Sequence, residues 1–257
     1  MASYDPGPPA AFETHFAALP DYAPFRQHFW YDWGPIHYRG RLDGTARVLC
    51  IASDPGPTER IAGRTLVGDS GQKVQGFLAK LGLTHSYLCL NAFAYALFPS
   101  HGSKTGEVLD DPAQKAWRNT LFDMARSPSV VAVVAFGAQA QAGVARWPGR
   151  SGVHLEQLPH PASKSESTLL GEWRAAVPVL RAIVSPDADG SNTGPNYGAK
   201  FVEADYAPIP RLDLPFGAPA FLGDDAWGRA AKPRHNNGVE RPAPDDRHTL
   251  IWRAPAT

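Results

Sequence analysis

Four short apolar segments alternate with four helical patterns in the first 186 residues, and this alternation constrains the fold most. The apolar segments span residues 47–52, 87–91, 130–136 and 153–158. The helical patterns span residues 70–81, 111–125, 138–146 and 167–183. Apolar runs of this length predict strands that are buried on both faces, and strands that alternate with helices form parallel βαβ units. The sequence therefore predicts an α/β fold, a three-layer α/β/α sandwich with a mostly parallel, four-stranded central sheet.

Local signals mark one helix start clearly. Asp111 is a good N-cap because its carboxylate can accept hydrogen bonds from the first free backbone amides. Pro112 follows it and suits the first helical position, where no amide proton is needed. We predict that the second helix begins here.

The alternation stops near Val184, which suggests a change in organisation. A linker-like stretch, SPDADGSNTGPN, is followed by residues rich in Pro and Gly. We therefore predict two regions, an α/β/α domain over residues 1–186 and an extended C-terminal segment over residues 187–257 that packs on it. A disordered linker is poor in apolar residues, whereas this segment contains well-spaced apolar anchors. These are Leu212, Leu214, Phe216, Phe221, Trp227 and Trp252.

Composition narrows the classes of function. The net charge is zero, which argues against a protein that coats nucleic acid, although a local basic rim is enough for transient DNA contact. No apolar run reaches the roughly 18 residues of a membrane span, and no secretory signal is visible, so a cytoplasmic location is expected. Cys50 and Cys89 lie in apolar segments and predict buried, reduced thiols. Zinc and iron–sulfur sites usually need about four ligands, so no metal or other cofactor is expected.

Polar residues follow all four predicted strands. Ser53, Asp54 and Gly56 follow the first strand, after which about 15 residues precede the next helical pattern, far more than a simple turn needs. The second strand ends at Asn91, the third at Gly137 and the fourth just before His160. Each residue alone has an ordinary explanation as a turn or structural residue. Ligands of parallel sheets bind at the carboxyl ends of the strands, so an acid, an amide and an imidazole should converge there.

Four motifs in this region resemble those of the uracil-DNA glycosylase superfamily. They are ASDPG at 52–56, GRTLVGDSG at 63–71, LCLN at 88–91 and HPAS at 160–163. The resemblance runs from roughly Gly34 to Ile183. The first motif is similar to that of the branch with an Asp-Pro pair. The second is similar to the GRPFVGxAG loop of the iron–sulfur branch, although this chain lacks the four cysteines of that branch.

The resemblance implies a DNA-repair hydrolase that excises uracil and leaves an abasic site, as in base excision repair. The target nucleotide must first be flipped out of the helix. Asp54 would stabilise the oxocarbenium-like sugar and orient the attacking water. His160, as a neutral imidazole, would donate a hydrogen bond to uracil O2. The Asn91 amide would accept from uracil N3–H and donate to O4, a pattern that cytosine reverses.

The same resemblance assigns supporting roles to residues around these three. Ser53, Gly56, Leu66 and Phe93 would contact the base. Leu66 replaces the stacking aromatic of the family, so Phe93 or Phe98 would stack instead, and Gly56 stands where one branch has a tyrosine that excludes thymine. Contacts to the DNA backbone would come from Gly68, Ser70, Gly71, Ala162, Ser163 and Lys164. The expected partners are uracil-containing DNA and its abasic product, bound by a monomer that contacts no membrane.

Alternatives remain open at this stage. A protein of the same fold could be trapped on uracil-DNA, covalently through His101, which lies in FPSHGSKTG after the Asn91 strand. A generic nucleotide-binding protein is a second alternative, although the first strand is not followed by G-x-G-x-x-G or G-x-x-x-x-G-K-[ST]. The C-terminal segment either covers apolar surface only or borders the DNA-binding face and slows product release.

Overall fold

A mixed sheet of five strands forms the centre of the structure, a computed structural model that describes residues 4–98, 101–218, 239–240 and 251–252. Its strands are β1 Tyr38–Gly40, β2 Val48–Ala52, β3 Tyr87–Asn91, β4 Ala132–Phe136 and β5 His154–Leu158. They lie in the order β1-β3-β2-β4-β5. Strands β3, β2, β4 and β5 are parallel to one another, and β1 is antiparallel to β3. The α/β class and the mostly parallel sheet are confirmed.

Helices connect and flank these strands. Those in the described residues are α1 Ala10–Ala17, α2 Pro57–Ala62, α3 Asp69–Lys80, α4 Gly106–Asp110, α5 Pro112–Ala125, α6 Ala138–Ala145 and α7 Glu166–Arg181. A separate two-stranded antiparallel ribbon joins β6 Val239–Glu240 to β7 Ile251–Trp252. None of the helices in the described residues has the length and apolar character needed to cross a bilayer.

The two faces of the sheet bury different apolar clusters. On β2, Val48 and Cys50 pack in one cluster with residues of α3 and α7, including Phe77 and Trp173. The intervening Leu49 and Ile51 pack in a second cluster with residues of α1, α5 and α6. This alternation follows from the two-residue period of a strand. Both faces of the central strands are therefore covered, which explains why their sequence is continuously apolar.

The prediction of four strands that are all buried on both faces was wrong in two respects. The fifth strand, β1, has only three residues and contains Arg39 and Gly40, so it carries no apolar run to reveal it. At the other edge, β5 is half-exposed, and it pairs with a neighbour on one side only. The side chains of its polar residues His154 and Glu156 are hydrogen-bonded, with His154 Nε2 3.2 Å from Glu156 Oε2.

The predicted helix start and the predicted cysteine environment are both confirmed. The Asp111 side chain accepts hydrogen bonds from the amides of Ala113 and Gln114 at 3.1 and 2.9 Å. Pro112 is the first residue of α5. Cys50 and Cys89 are free, fully buried thiols that face each other in the register of β2 and β3.

Residues 187–218 lie against the α/β body and are anchored by buried charges. Asp205 pairs with Lys80 of α3 at 2.8 Å. Asp213 is 1% exposed and pairs with the fully buried Arg39 at 2.9 Å, and its carboxylate also accepts from the Tyr87 hydroxyl at 2.7 Å. The apolar Leu214 is buried as well.

Not every predicted anchor of this segment is buried. Phe216 is 79% exposed and Leu212 is 37% exposed, so these two assignments were wrong. The alternation of prolines with apolar residues predicted apolar contacts for this segment. It did not predict the ion pairs of Asp205 and Asp213 that fasten the segment to the body. Phe221 and Trp227, together with the Trp252 side chain, lie outside the described residues.

We expect Asp213→Asn to lower the free energy of unfolding by about 3–5 kcal/mol, because it leaves the buried Arg39 without its counter-charge. Urea unfolding measures this change. The matched control is Asp110→Asn, which removes the exposed partner of Arg146 and should leave the midpoint nearly unchanged, since water screens exposed pairs. Equal midpoints for the two variants would show that the Arg39–Asp213 pair does not stabilise the fold.

Candidate active site at the carboxyl edge of the sheet

Two neighbouring cavities lie at the carboxyl ends of the parallel strands, and Asp54 and His160 line both of them. The larger cavity has a volume of about 530 Å³ and is also lined by Ser53, Leu97, Phe98, Gly102, Gln139 and Ala162. The smaller has a volume of about 230 Å³ and is also lined by Ala52, Pro55, Gly56, Glu59, Leu66 and Ser70. The predicted convergence of the acid and the imidazole is therefore observed.

Asp54 is held between the ends of two strands. It lies two residues after the end of β2. Its Oδ2 accepts a hydrogen bond at 2.8 Å from the amide of Leu97, which lies in the segment that follows β3. The segment after β3 also pairs with the chain after β2, since the Phe93 amide donates to the Ser53 carbonyl at 3.0 Å. This places one anchored carboxylate on the shared wall of both cavities.

His160 follows β5 and is oriented by hydrogen bonding. Its Nδ1 accepts from the Ala162 amide at 3.1 Å, so the proton of the neutral ring resides on Nε2. Burial, and then the nearby Lys73 ammonium, lower the pKa of His160 below its ordinary value. The neutral imidazole is therefore the form present near pH 7, with an N–H donor on the ring atom opposite the backbone contact.

The backbone at Gly137 makes room for His160. Gly137 has a φ of 88°, in the left-handed region that favours glycine. A Cβ atom at this position would lie 2.9 Å from the His160 Cβ. Gly137, directly after β4, thus leaves room for the His160 side chain.

Lys73 supports the histidine loop and was not anticipated from the sequence. Its Nζ donates to the Pro161 carbonyl at 3.2 Å and pairs with Asp69, one helical turn earlier, at 3.4 Å. The ammonium also lies 5.0 Å from the centre of the Phe201 ring, in the C-terminal segment. The four-residue spacing of Asp69 and Lys73 indicates only their own ion pair. It does not predict that Lys73 also contacts the Pro161 carbonyl or the Phe201 ring.

Asn91 ends β3 and is paired in the sheet with Ala52, which lines the smaller cavity. Asn91 itself is 5% exposed and is not among the described residues that line either cavity. Its Oδ1 accepts a hydrogen bond from the Thr65 hydroxyl at 2.7 Å. Its Nδ2 is buried and has no hydrogen-bond partner among the described residues. An unsatisfied buried donor costs about 1–3 kcal/mol, so an acceptor that reached this amide would stabilise it.

The long connection after β2 is organised by Glu59, which the sequence analysis did not single out. Glu59 lies in α2 and is 7% exposed. One of its oxygens accepts from the Gly56 amide at 2.9 Å. The other accepts from the amides of Val67 and Gly68 at 2.9 and 3.0 Å. The loop therefore closes around a buried carboxylate, and this explains why it needs so many residues.

Two of the residues predicted to contact DNA through this loop have structural roles instead. The Gly68 amide is buried and donates to Glu59, so it is not available to a phosphate. Gly71 is also buried, and a Cβ there would lie 1.8 Å from the Leu66 carbonyl oxygen. Leu66 itself has a φ of 53°, the one positive value outside glycine among the described residues. Ser70 does line the smaller cavity.

Of the other predicted site residues, some line a cavity and one does not. Ser53, Gly56 and Leu66 line the cavities. Phe93 does not, because it is fully buried in a cluster with Phe29, their ring centres 5.7 Å apart. Its assignment as a base contact was wrong, and Phe98 is the aromatic that lines the larger cavity.

The loop after His160 borders the larger cavity. Ala162 lines it, Ser163 is half-buried and Lys164 is exposed. The Ser163 amide donates to the His160 carbonyl at 2.8 Å, which closes the loop in a turn. Ala162 is therefore the member of this loop that the structure places at the cavity, and DNA contact by Ala162, Ser163 and Lys164 stays a prediction.

His101 belongs to a separate polar group next to this site. Its Nδ1 lies 3.1 Å from Nδ1 of His28, whose Nε2 pairs with Glu107. Its ring packs on Phe98 at 5.5 Å. His101 is not among the described residues that line the larger cavity, although its neighbour Gly102 is.

One cluster in the described residues has the ligand types of a metal site. His85, Asp187 and Asp189 lie near the amino end of β3, with their ligand atoms within 4.8 Å of one another. Asp187, however, accepts hydrogen bonds from three consecutive amides, those of Thr84, His85 and Ser86. The other Asp187 oxygen lies 3.3 Å from the Arg47 guanidinium. The cluster thus fastens the start of the C-terminal segment to the body.

Comparison with known proteins adds no family assignment. No family model matches the sequence, and a search of curated proteins gives no significant match.

We expect the His160 pKa to lie below about 6.5 in the folded protein, and Lys73→Gln to raise it toward that value by removing the neighbouring positive charge. Histidine ring NMR signals followed against pH measure both. Lys115→Gln is the matched control, since Lys115 is exposed on α5, and it should leave the titration unchanged. A His160 pKa above 6.5 in the wild type would contradict the neutral form.

Proposed function

We propose that this protein removes uracil from DNA by hydrolysing the N-glycosidic bond of a flipped-out nucleotide, which leaves an abasic site. The observation that carries the proposal is that Asp54 and His160 line the same two cavities. Ala52 of the smaller cavity is the sheet partner of Asn91, whose Nδ2 has no hydrogen-bond partner in the described part of the chain. These are the three groups that uracil excision needs, an anion, a neutral donor and a base-reading amide. The absence of a family match leaves this conclusion to rest on the site.

Asp54 would act on the sugar. Cleavage of the bond between uracil N1 and C1′ passes through an oxocarbenium-like state with positive charge on the sugar. A carboxylate that is already fixed in place stabilises that charge without reorganisation. The hydrogen bond from the Leu97 amide holds one oxygen of Asp54, and the carboxylate can orient a water molecule for attack on C1′.

His160 would act on the leaving group. Uracil departs with negative charge on its ring, and a hydrogen bond to O2 lowers the barrier to its departure. A neutral imidazole with the proton on Nε2 can make that bond, and the hydrogen bond at Nδ1 and the lowered pKa both favour this form. No proton needs to be transferred at this step, because donation alone stabilises the anion.

The two cavities suggest how a nucleotide could be divided between them. The smaller lies next to Asn91 and Leu66 and would take the base. The larger, lined by Phe98 and Ala162, would take the sugar and the adjoining backbone. Lys164, two residues after Ala162, is exposed and can contact a phosphate. Asp54 and His160 line both cavities. They would therefore flank a glycosidic bond placed where the two cavities meet.

The direct test uses an end-labelled oligonucleotide with one uracil, followed by alkali and a denaturing gel. We expect strand breaks at the uracil, and far fewer breaks in a matched oligonucleotide that carries cytosine at that position. A retarded band that survives denaturation would instead indicate covalent trapping, for which His101 is the candidate nucleophile. If neither product forms on single-stranded or double-stranded DNA, the proposal is wrong.

We expect Asp54→Asn to lower uracil excision by at least about 10²-fold, because the charge that faces the sugar cation is lost. Binding of the oligonucleotide should remain, since the amide oxygen can still accept from Leu97. The matched control is Asp43→Asn, an exposed acid that precedes β2 at the opposite edge of the sheet. Excision by Asp54→Asn within a few-fold of the control would remove Asp54 from the mechanism.

We expect His160→Ala to lower single-turnover excision by about 10²–10³-fold, the usual effect of losing one preorganised donor. His154→Ala serves as the control, because His154 lies on the same strand at its amino end. Similar rates in the two variants would show that another group stabilises the departing base.

A further inference from the structure

We propose that Thr65 determines base specificity by fixing which way the Asn91 amide faces. The inference rests on the proposed function, because it concerns the residue that would read the base in that reaction. The structure shows the Thr65 hydroxyl donating to Asn91 Oδ1 at 2.7 Å, while Asn91 Nδ2 is buried and has no partner among the residues that the structure describes. Thr65 is a positioning residue, since it acts through Asn91.

The Thr65 hydroxyl favours one amide orientation over the other. Thr65 is fully buried, and within the described part of the chain Asn91 Oδ1 is the only hydrogen-bond partner of its hydroxyl. If the amide turned over, Nδ2 could donate to the hydroxyl oxygen, but the hydroxyl proton would then have no acceptor. A buried polar hydrogen without an acceptor is costly, so the orientation with Oδ1 toward Thr65 is preferred.

The backbone of Thr65 is fixed from both sides. Its amide donates to the Tyr38 carbonyl at 3.2 Å, and its carbonyl accepts from Nε of Arg39 at 3.2 Å. Arg39 is fully buried and is held in turn by Gln75 of α3 at 2.8 Å and by Asp213 of the C-terminal segment. The hydroxyl that orients Asn91 is therefore held by β1 and by a buried charge network, not by the surface loop.

This orientation has a definite consequence for base recognition. With Oδ1 bonded to Thr65, the remaining hydrogen-bonding groups are the Nδ2 donor and the second lone pair of Oδ1. They match the O4 acceptor and the N3–H donor of uracil. A turned amide would match cytosine, whose 4-amino group donates and whose N3 accepts. Thr65 would thus exclude cytosine, the normal base that differs from uracil only in these two groups.

The test compares Thr65→Val, which keeps the shape but removes the hydroxyl, with Thr65→Ser, which retains it. The activity measurement is the ratio of kcat/KM for uracil-containing to cytosine-containing oligonucleotides of the same sequence. We expect T65V to lower this ratio by about tenfold, the loss that corresponds to one buried hydrogen bond. We expect T65S to remain within about twofold of the wild type. Thr84→Val, at the amino end of β3, is the control for removal of a threonine hydroxyl far from the site.

A second measurement does not depend on activity. The side-chain amide signals of Asn91, assigned by their loss in Asn91→Asp, are tested for nuclear Overhauser effects to the side chain of residue 65. We expect weak effects in the wild type and T65S, where the oxygen faces residue 65. We expect stronger effects in T65V, where both orientations are populated.

The outcomes separate the two proposals. If the wild type excises uracil but T65V keeps the wild-type ratio, Thr65 does not set specificity, while the proposed function stands. If Thr65 affected stability alone, T65V would lower kcat/KM for uracil and for cytosine by the same factor. The uracil-to-cytosine ratio would then stay unchanged, which also overturns the inference. If the wild type excises no uracil, the proposed function fails, and strong Overhauser effects in the wild type would then independently reject the orientation of the amide.

Discussion

The buried ion pair between Arg39 and Asp213 is the interaction on which much of the structure depends. A guanidinium and a carboxylate removed from water are stable only when their hydrogen bonds are satisfied. Arg39 meets this requirement through Asp213, Gln75 and the Thr65 carbonyl. Asp213 accepts in addition from Tyr87. One pair thus joins the antiparallel edge strand, helix α3, strand β3, the loop beside the cavities and the C-terminal segment.

This arrangement changes how the C-terminal segment should be viewed. Ile209 and Leu214 pack against Ala62 and Val67, which belong to α2 and to the loop that Glu59 closes. The segment also passes directly over α3, since a Cβ at Gly76 would lie 2.0 Å from the Asp205 carbonyl oxygen. It therefore packs behind the wall of the smaller cavity. Covering apolar surface and supporting the candidate site are one role here, not two.

The sequence predicted those parts of the molecule that follow from local pattern. The strands β2, β3 and β4 are continuously apolar, and their carboxyl ends had to bring Asp54 and Asn91 to one edge. Features that depend on distant partners were missed. Arg39 gives no sign of burial until Asp213, 174 residues away, is placed beside it. Glu59 is an ordinary first-turn acid until the loop folds back on it, and Phe93 is an ordinary aromatic until Phe29 packs against it.

The carboxylate of Glu59 has a consequence for how the candidate site opens. Its acceptor oxygens gather amides from both ends of the loop, those of Gly56 on one side and of Val67 and Gly68 on the other. Breaking these contacts would release all three amides in the same event. Local unfolding proceeds in such cooperative units. The amide hydrogens of Gly56, Val67 and Gly68 should therefore exchange with solvent as a single group. The smaller cavity is then either fully formed or lost.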